Sequence, residues 1–125
     1  MRFLAVITLM LYPTYVFTYP EPKYPSETQA VQALAQEYDG EVEHRLWDAT
    51  RVDLLTDEYA IEADWGPKWA EGIGQSLYYA QVTGKKPAVM LLIKDMKSEY
   101  KYIYRLQTVA VKYDIEVFLE VVEPL

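Results

Sequence analysis

The stretch RVDLLTDEYAIEADWGPKWAEGIGQ, residues 51–75, decides the fold because its pattern is typical of a tight β-hairpin followed at once by a helix. Asp57 and Glu58 predict a two-residue turn that pairs position 56 with position 59 across an antiparallel ladder. The two strands beside this turn therefore have a fixed register, which determines which side chains face one another.

Three carboxylates fall on one face of the predicted hairpin. The register sets Asp53 opposite Glu62 and Arg51 opposite Asp64, and period-two alternation puts all three acids on the same face. Carboxylate oxygens are preferred ligands of Mg²⁺ in proteins. We therefore predict a divalent-metal site with Asp53, Glu62 and Asp64 as its ligands. Two alternatives stay open: Asp64 pairs with Arg51, or the whole face is a solvated sheet surface with a cross-strand ion pair.

Helical and strand patterns on either side extend the hairpin into an α/β order. Ser26 and Gln29 form a predicted capping box, and a continuously apolar run, PAVMLLI, is typical of a central strand buried on both faces. The predicted elements are a helix over 27–39, strands over 41–46, 51–56 and 59–65, a helix over 68–83, a strand over 87–93, a helix capped by Ser98 and ending near 113, and a strand over 116–122. The order α-β-β-β-α-β-α-β predicts an α/β sandwich with a mixed central sheet.

Composition limits the chemistry. The chain has 125 residues, no cysteine, one histidine and a net charge of −7, so thiolate zinc sites and histidine-rich metal sites are excluded. The negative charge argues against a protein that coats nucleic acid by bulk electrostatics. The charge is segregated, however: residues 21–64 hold twelve acids against three lysines and arginines, and residues 85–112 hold seven lysines and arginines against two acids. A phosphate-binding face can therefore lie beside an acidic metal site.

The last predicted helix carries a basic stripe. Its members recur at spacings of four, four and seven residues: Lys97, Lys101, Arg105 and Lys112. Such a stripe can follow a phosphate backbone, so it is a predicted nucleic-acid-binding surface. The alternative is the ordinary solvated face of an amphipathic helix.

The N-terminus has the pattern of a targeting segment. A basic start precedes the nearly uncharged run FLAVITLMLYPTYVFT, which predicts that residues 1–20 are a signal peptide or an uncleaved hydrophobic anchor, with an N-terminal strand as the alternative. Residues 21–125 are then a single domain, and export to the periplasm or the medium is expected.

The element order, with aspartate in the second strand and E-x-D in the third, resembles the core of the PD-(D/E)xK nuclease superfamily. The wider D…ExD…KWAEGIGQ pattern is also similar to small exported bacterial proteins of uncharacterised function. The resemblance implies a restriction-endonuclease-like sandwich and a nuclease dependent on Mg²⁺ or Mn²⁺, with Asp53 and Glu62 holding the metal. Asp64 stands where the superfamily has its lysine, which departs from the motif.

The missing lysine has a predicted substitute in the next helix. Lys68, Gly72, Gln75 and Tyr79 share one predicted helix face, so Lys68 would position the attacking water and Gln75 would hydrogen-bond it or a phosphate oxygen. The alternatives are a surface lysine and an exposed glutamine. We further expect Gly72 and Gly74 to permit close approach to the sheet or a ligand.

A competing hypothesis has the same fold but no catalytic activity. In it, the chain is a catalytically inactive nuclease-fold module that binds a protein partner in the cell envelope. No nucleotide cofactor is expected, since Thr83-Gly84-Lys85-Lys86 ends a helix rather than forming a phosphate-binding loop. The sequence leaves the oligomeric state open.

Overall fold

A computed structural model of the protein describes residues 13–125 as three helices and five strands. Their bounds are α1 Glu27–Tyr38, β1 Glu41–Arg45, β2 Arg51–Leu55, β3 Tyr59–Trp65, α2 Trp69–Thr83, β4 Lys86–Ile93, α3 Met96–Tyr113 and β5 Glu116–Val121. The predicted order α-β-β-β-α-β-α-β is confirmed.

The strands form one mixed sheet in the order β1-β2-β3-β4-β5. The first three strands are antiparallel neighbours, and β3, β4 and β5 run parallel. Parallel neighbours need a crossover connection, and α2 and α3 provide the two crossovers. The mixed central sheet is confirmed.

Both faces of the sheet are covered by helices, which gives the α/β sandwich. Val31 of α1 packs with Leu54, Ile61 and Met90 on one face. On the other face, Leu91 and its neighbours in β4 pack against Ile103 and Leu106 of α3 and against residues of α2. Strand β4 is buried on both sides, which explains its continuous apolar run.

Two predicted helix ends are confirmed, and the predicted start of α2 needs adjustment. The Ser26–Gln29 capping box is present, and Gly84 ends α2 with φ 71°, a left-handed conformation that suits glycine. Lys68, however, lies in a short 3₁₀ turn, Gly66–Lys68, and α2 itself begins at Trp69.

The predicted cap of the third helix was wrong. Asp95, and not Ser98, is the N-cap, because the Asp95 carboxylate accepts the backbone N–H of Ser98 at 2.8 Å. Ser98 is thereby the third residue inside α3. The helix therefore begins at Met96, about one turn earlier than serine capping predicts.

Strand β1 has a backbone irregularity next to the part of β2 that carries Asp53. Glu43 in β1 has φ 53°, which is unusual for a residue other than glycine, and it lies between the pairs Val42–Leu54 and His44–Val52. In β2, Leu54 packs in the α1 cluster, whereas Val52, two residues away, packs with Tyr79 of α2. The two residues on either side of Asp53 therefore pack against different helices.

Only part of the predicted signal peptide or anchor, residues 1–20, can be compared with the structure. Residues 1–12 lie outside the described residues, and residues 13–20 are exposed and without regular secondary structure. Within residues 13–125, no helix is both long and apolar enough to cross a membrane. Export stays a prediction.

Candidate functional site

The predicted hairpin register is confirmed, and it sets Asp53 across from Glu62. Strands β2 and β3 pair at Leu54–Ile61 and Leu55–Ala60, and the Thr56 N–H donates to the Tyr59 carbonyl at 2.9 Å. Counting one residue further along both strands brings Asp53 opposite Glu62.

At Asp53, side-chain carboxylates accept hydrogen bonds from backbone N–H groups, in place of the backbone carbonyls of a regular ladder. The Ala63 N–H donates to Asp53 Oδ2 at 2.9 Å, and the Asp53 N–H donates to Glu62 Oε1 at 3.4 Å. Each acid thus satisfies a backbone donor on the opposite strand. The two carboxylates are held side by side between the strands.

The acids are buried as well as close together. Glu62 and Asp64 are each only 4% exposed, and Asp53 is partly buried. Burial disfavours the charged form and is the main cause of a raised pKa at all three residues. The charge of Asp53 raises the pKa of Glu62 further. Burial, followed by the charges of Glu27 and Asp53, raises the pKa of Asp64 to about 7. The cluster therefore holds its protons more tightly than exposed carboxylates do.

Asp64 lies against helix α2 with one oxygen unpaired. Within residues 13–125, Asp64 Oδ2 is the buried side-chain nitrogen or oxygen atom that has no hydrogen-bond partner. A Cβ atom at Gly72 would come within 2.7 Å of Oδ2 and within 3.1 Å of Val89 Cγ1. Gly72 therefore permits close approach of α2 to the sheet, as predicted. Gly74 makes no such approach to the sheet, because an added Cβ would meet nothing within 4 Å, and its approach to a ligand stays a prediction.

The donor set suits a hard cation that keeps several waters. Mg²⁺ is often held by one or two carboxylates, with waters completing its coordination. Asp53 and Glu62 are such a pair, and the unpartnered Asp64 oxygen lies on the same strand as Glu62. In the part of the chain that the structure describes, no group of three or more acids or histidines is placed to hold a metal ion. The arrangement thus fits a two-carboxylate site, and the three-ligand site stays a prediction.

The two basic residues predicted near the acids have other partners. Lys68 Nζ lies 3.4 Å from Glu27 Oε1, and the charge of Lys68 still acts to lower the pKa of Asp64. Arg51 Nη1 lies 3.5 Å from Glu43 Oε2. The alternative Arg51–Asp64 ion pair is therefore absent.

Gln75 does not share the buried face of α2. That face consists of Gly72, Ser76, Tyr79 and Ala80, whereas Gln75 is exposed. At about 100° per residue, Gln75 lies at the border of the buried arc. The predicted common face of Lys68 and Gln75 is therefore divided, since Lys68 precedes the helix and Gln75 points to solvent.

Two residues near the acids were not among the predicted site residues. Tyr79 is buried, and burial followed by the charge of Glu62 raises its pKa. The spacing of seven placed Tyr79 on the predicted face of Gly72, and both are buried, but the sequence assigned Tyr79 no role at the site. Glu27 acts electrostatically on Asp53 and Asp64. No local signal identifies Glu27, because the packing of α1 against the sheet brings it there.

The basic stripe of α3 is exposed along its whole length. Lys97, Lys101, Arg105 and Lys112 face solvent, and none of them takes part in an ion pair among residues 13–125. The predicted helix face is therefore accessible to a ligand.

Together these features define a mixed α/β sandwich with a buried carboxylate cluster between β2, β3 and α2. The chain is 33% identical over 82 residues, 66% of its length, to a KilA-N domain-containing protein of Acanthamoeba polyphaga mimivirus. It spans about a fifth of that viral protein, since the matched part is 22% of the relative. No protein-family model matches the chain, and no solved structure matches it either.

Proposed function

We propose that the protein is a metal-dependent nuclease that hydrolyses phosphodiester bonds, with Mg²⁺ or Mn²⁺ held by Asp53 and Glu62. The observation that carries the proposal is a pair of buried carboxylates, set side by side across β2 and β3, next to an unpartnered Asp64 oxygen. Buried acids without cationic partners are unfavourable, and such perturbed groups cluster at functional sites. The similarity to a KilA-N domain-containing protein is compatible with a nucleic-acid-related role.

Each acidic residue has its own role in the proposed hydrolysis. A bound divalent cation would neutralise charge on the phosphate and lower the pKa of a coordinated water. Asp53 and Glu62 would bind the cation and orient the phosphate. Asp64, with its pKa raised to about 7, is matched to accept a proton from the attacking water near neutral pH, a task that the superfamily lysine has in the motif.

Lys68 and Gln75 have supporting roles in this proposal. Lys68 lies within electrostatic reach of Asp64 and would contact a phosphate oxygen after leaving Glu27. Gln75 is exposed on α2 and would hydrogen-bond the substrate from its solvent side. Neither residue contacts the carboxylates directly.

The test is cleavage of labelled single-stranded, duplex and branched DNA and RNA by the full chain, with Mn²⁺ or with EDTA. Cleavage that requires metal and is lost in Asp53→Asn and in Glu62→Gln supports the proposal. Asp57→Asn is the matched control, because Asp57 is an exposed carboxylate in the hairpin turn. Absence of cleavage on every substrate, with no metal-induced rise in melting temperature, would overturn it.

A second candidate is a catalytically inactive module of the same fold that binds a protein partner in the cell envelope. The observation that favours it is the Lys68–Glu27 ion pair, since Lys68 is paired with Glu27 and not with one of the three carboxylates. This candidate predicts partner capture from an envelope extract that is unaffected by EDTA. N-terminal sequencing of the expressed protein tests its export requirement, since an intact Met1 contradicts cleavage of a signal peptide.

A further inference from the structure

The exposed face of α3 carries two neighbouring stripes of different chemistry. One is the basic stripe described above. The other consists of Tyr100, Tyr104 and Val111, which are 61%, 61% and 85% exposed. At about 100° per residue the two stripes lie side by side, with Tyr104 next to the basic one. The two stripes together form one surface, the α3 face.

The positive charge of the α3 face is not neutralised by acids of the same helix. No aspartate or glutamate occurs between Tyr100 and Tyr113. The acids at the start of the helix are engaged by backbone: Asp95 caps it, and Glu99 accepts the N–H groups of Lys94 and Asp95 at 2.6 and 2.9 Å. The α3 face is thus a basic surface on a chain whose net charge is −7.

The exposed tyrosines are not needed for the core. Helix α3 packs on the sheet through Ile103, Leu106 and Ala110, on the opposite side of the helix. Tyr102, at the border, instead lies under two members of the basic stripe, with Lys101 Nζ 5.0 Å and Arg105 Cζ 5.9 Å from its ring centroid. Tyr100 and Tyr104 are therefore available as flat stacking surfaces beside a row of cations.

We infer that the α3 face binds single-stranded nucleic acid, with the basic stripe on the phosphates and Tyr100 and Tyr104 stacked on unpaired bases. Charge complementarity selects a polyanion, and exposed aromatic rings select bases that are not already stacked in a duplex. Lys97 and Lys112 are roughly 22 Å apart along the helix axis, which suits a short strand segment. The inference rests on the proposed function, because it names the substrate class of the same protein.

Fluorescence anisotropy with the full chain in EDTA measures this binding apart from any cleavage. The probes are a labelled single-stranded oligonucleotide and the corresponding duplex. We expect tighter binding of the single strand. Tyr100→Ala and Tyr104→Ala should each weaken single-strand binding roughly tenfold, the effect of losing one stacked base. Trp47→Ala is the control, since Trp47 is an aromatic residue of the folded domain that is 85% exposed outside α3.

Charge variants test the other stripe. Lys101→Gln/Arg105→Gln should weaken binding of both probes and make it less dependent on salt, because fewer counterions are released. Lys23→Gln, an exposed lysine outside α3, should leave binding unchanged. Equal affinity for duplex and single strand, or binding of anionic vesicles in place of nucleic acid, would overturn the inference.

The inference and the nuclease proposal can fail separately. If Asp53→Asn/Glu62→Gln binds single strands normally and the unmodified protein cleaves nothing, the α3 face is supported and the nuclease is not. If the unmodified protein cleaves with metal and the tyrosine variants bind as it does, the α3 inference is wrong and the nuclease stands.

Discussion

Asp64 is the residue at which burial, charge and a missing hydrogen bond coincide. It lies against α2, has one unpartnered oxygen and has a pKa raised to about 7. A group with that pKa exchanges its proton near neutral pH. In the proposed nuclease, Asp64 would therefore serve as a proton acceptor, whereas a lysine at this position would carry a fixed positive charge.

The raised pKa makes Asp64 a pH-dependent source of instability. The folded protein keeps a proton that the unfolded chain releases between about pH 4 and 7, so stability falls as pH rises through that window. Asp64→Asn removes this titration while preserving shape. We expect the free energy of unfolding of the variant, relative to the unmodified protein, to rise from pH 5 to pH 8 by at most about 3 kcal/mol, since about two pH units of the window lie in this range at about 1.4 kcal/mol each. Urea unfolding in EDTA at both pH values measures the gain; an equal difference at pH 5 and 8 contradicts it.

The two glycines of α2 provide a matched pair of substitutions. Gly72→Ala forces a Cβ against Asp64 Oδ2 and Val89. We expect the free energy of unfolding to fall by about 1–2 kcal/mol, even though alanine has the higher helix propensity. At Gly74 an added Cβ would meet nothing within 4 Å, so Gly74→Ala should raise the free energy of unfolding by up to about 1 kcal/mol. Urea unfolding separates the two signs. Stabilisation by both alanines would show that α2 does not press on Asp64.

At the scale of elements, capping determines where α3 begins. Asp95→Ala removes the acceptor for the Ser98 N–H and should lower the melting temperature by a few degrees. Ser98→Ala should have little effect, because the Ser98 side chain does not cap the helix. Thermal unfolding followed by circular dichroism measures both. A larger fall in melting temperature for Ser98→Ala than for Asp95→Ala would show that Ser98 is the N-cap of α3.

The sequence predicted those features that depend on neighbours in the chain. Turn residues Asp57 and Glu58 determined the hairpin register, and apolar periodicity located the helices and strands. Gly72 was expected near the sheet from its place in α2. The Lys68–Glu27 ion pair depends on packing between distant segments of the chain. The Arg51–Glu43 ion pair forms beside the irregular backbone at Glu43. No local sequence pattern predicts either pair.

At the scale of the molecule, the two candidate surfaces lie on the same side of the sheet. Helices α2 and α3 both pack on the face opposite α1, with Trp69 and Ile73 of α2 contacting the α3 cluster. The carboxylates lie under α2, and the α3 face belongs to the adjacent helix. The two candidate surfaces therefore belong to neighbouring helices on one side of the sheet.

Metal binding should depend on pH across the whole protein. Carboxylates must lose their protons to bind a cation, so binding releases protons and strengthens as pH rises. We expect Mn²⁺ to raise the melting temperature more at pH 8 than at pH 6, because a ligand selective for the folded state stabilises it. Differential scanning fluorimetry measures the shift. A shift that is independent of pH, or that persists in Asp53→Asn/Glu62→Gln, would place the cation elsewhere.

The bonds from carboxylates to backbone in the hairpin also give the site its own spectroscopic reporters. The amide protons of Asp53 and Ala63 donate to carboxylates, whereas those of an ordinary ladder donate to carbonyls. Their resonance frequencies in a ¹⁵N-labelled sample must therefore follow the ionisation of Glu62 and Asp53. Two peaks in an NMR spectrum would register both deprotonation and cation arrival, residue by residue, before any substrate is identified.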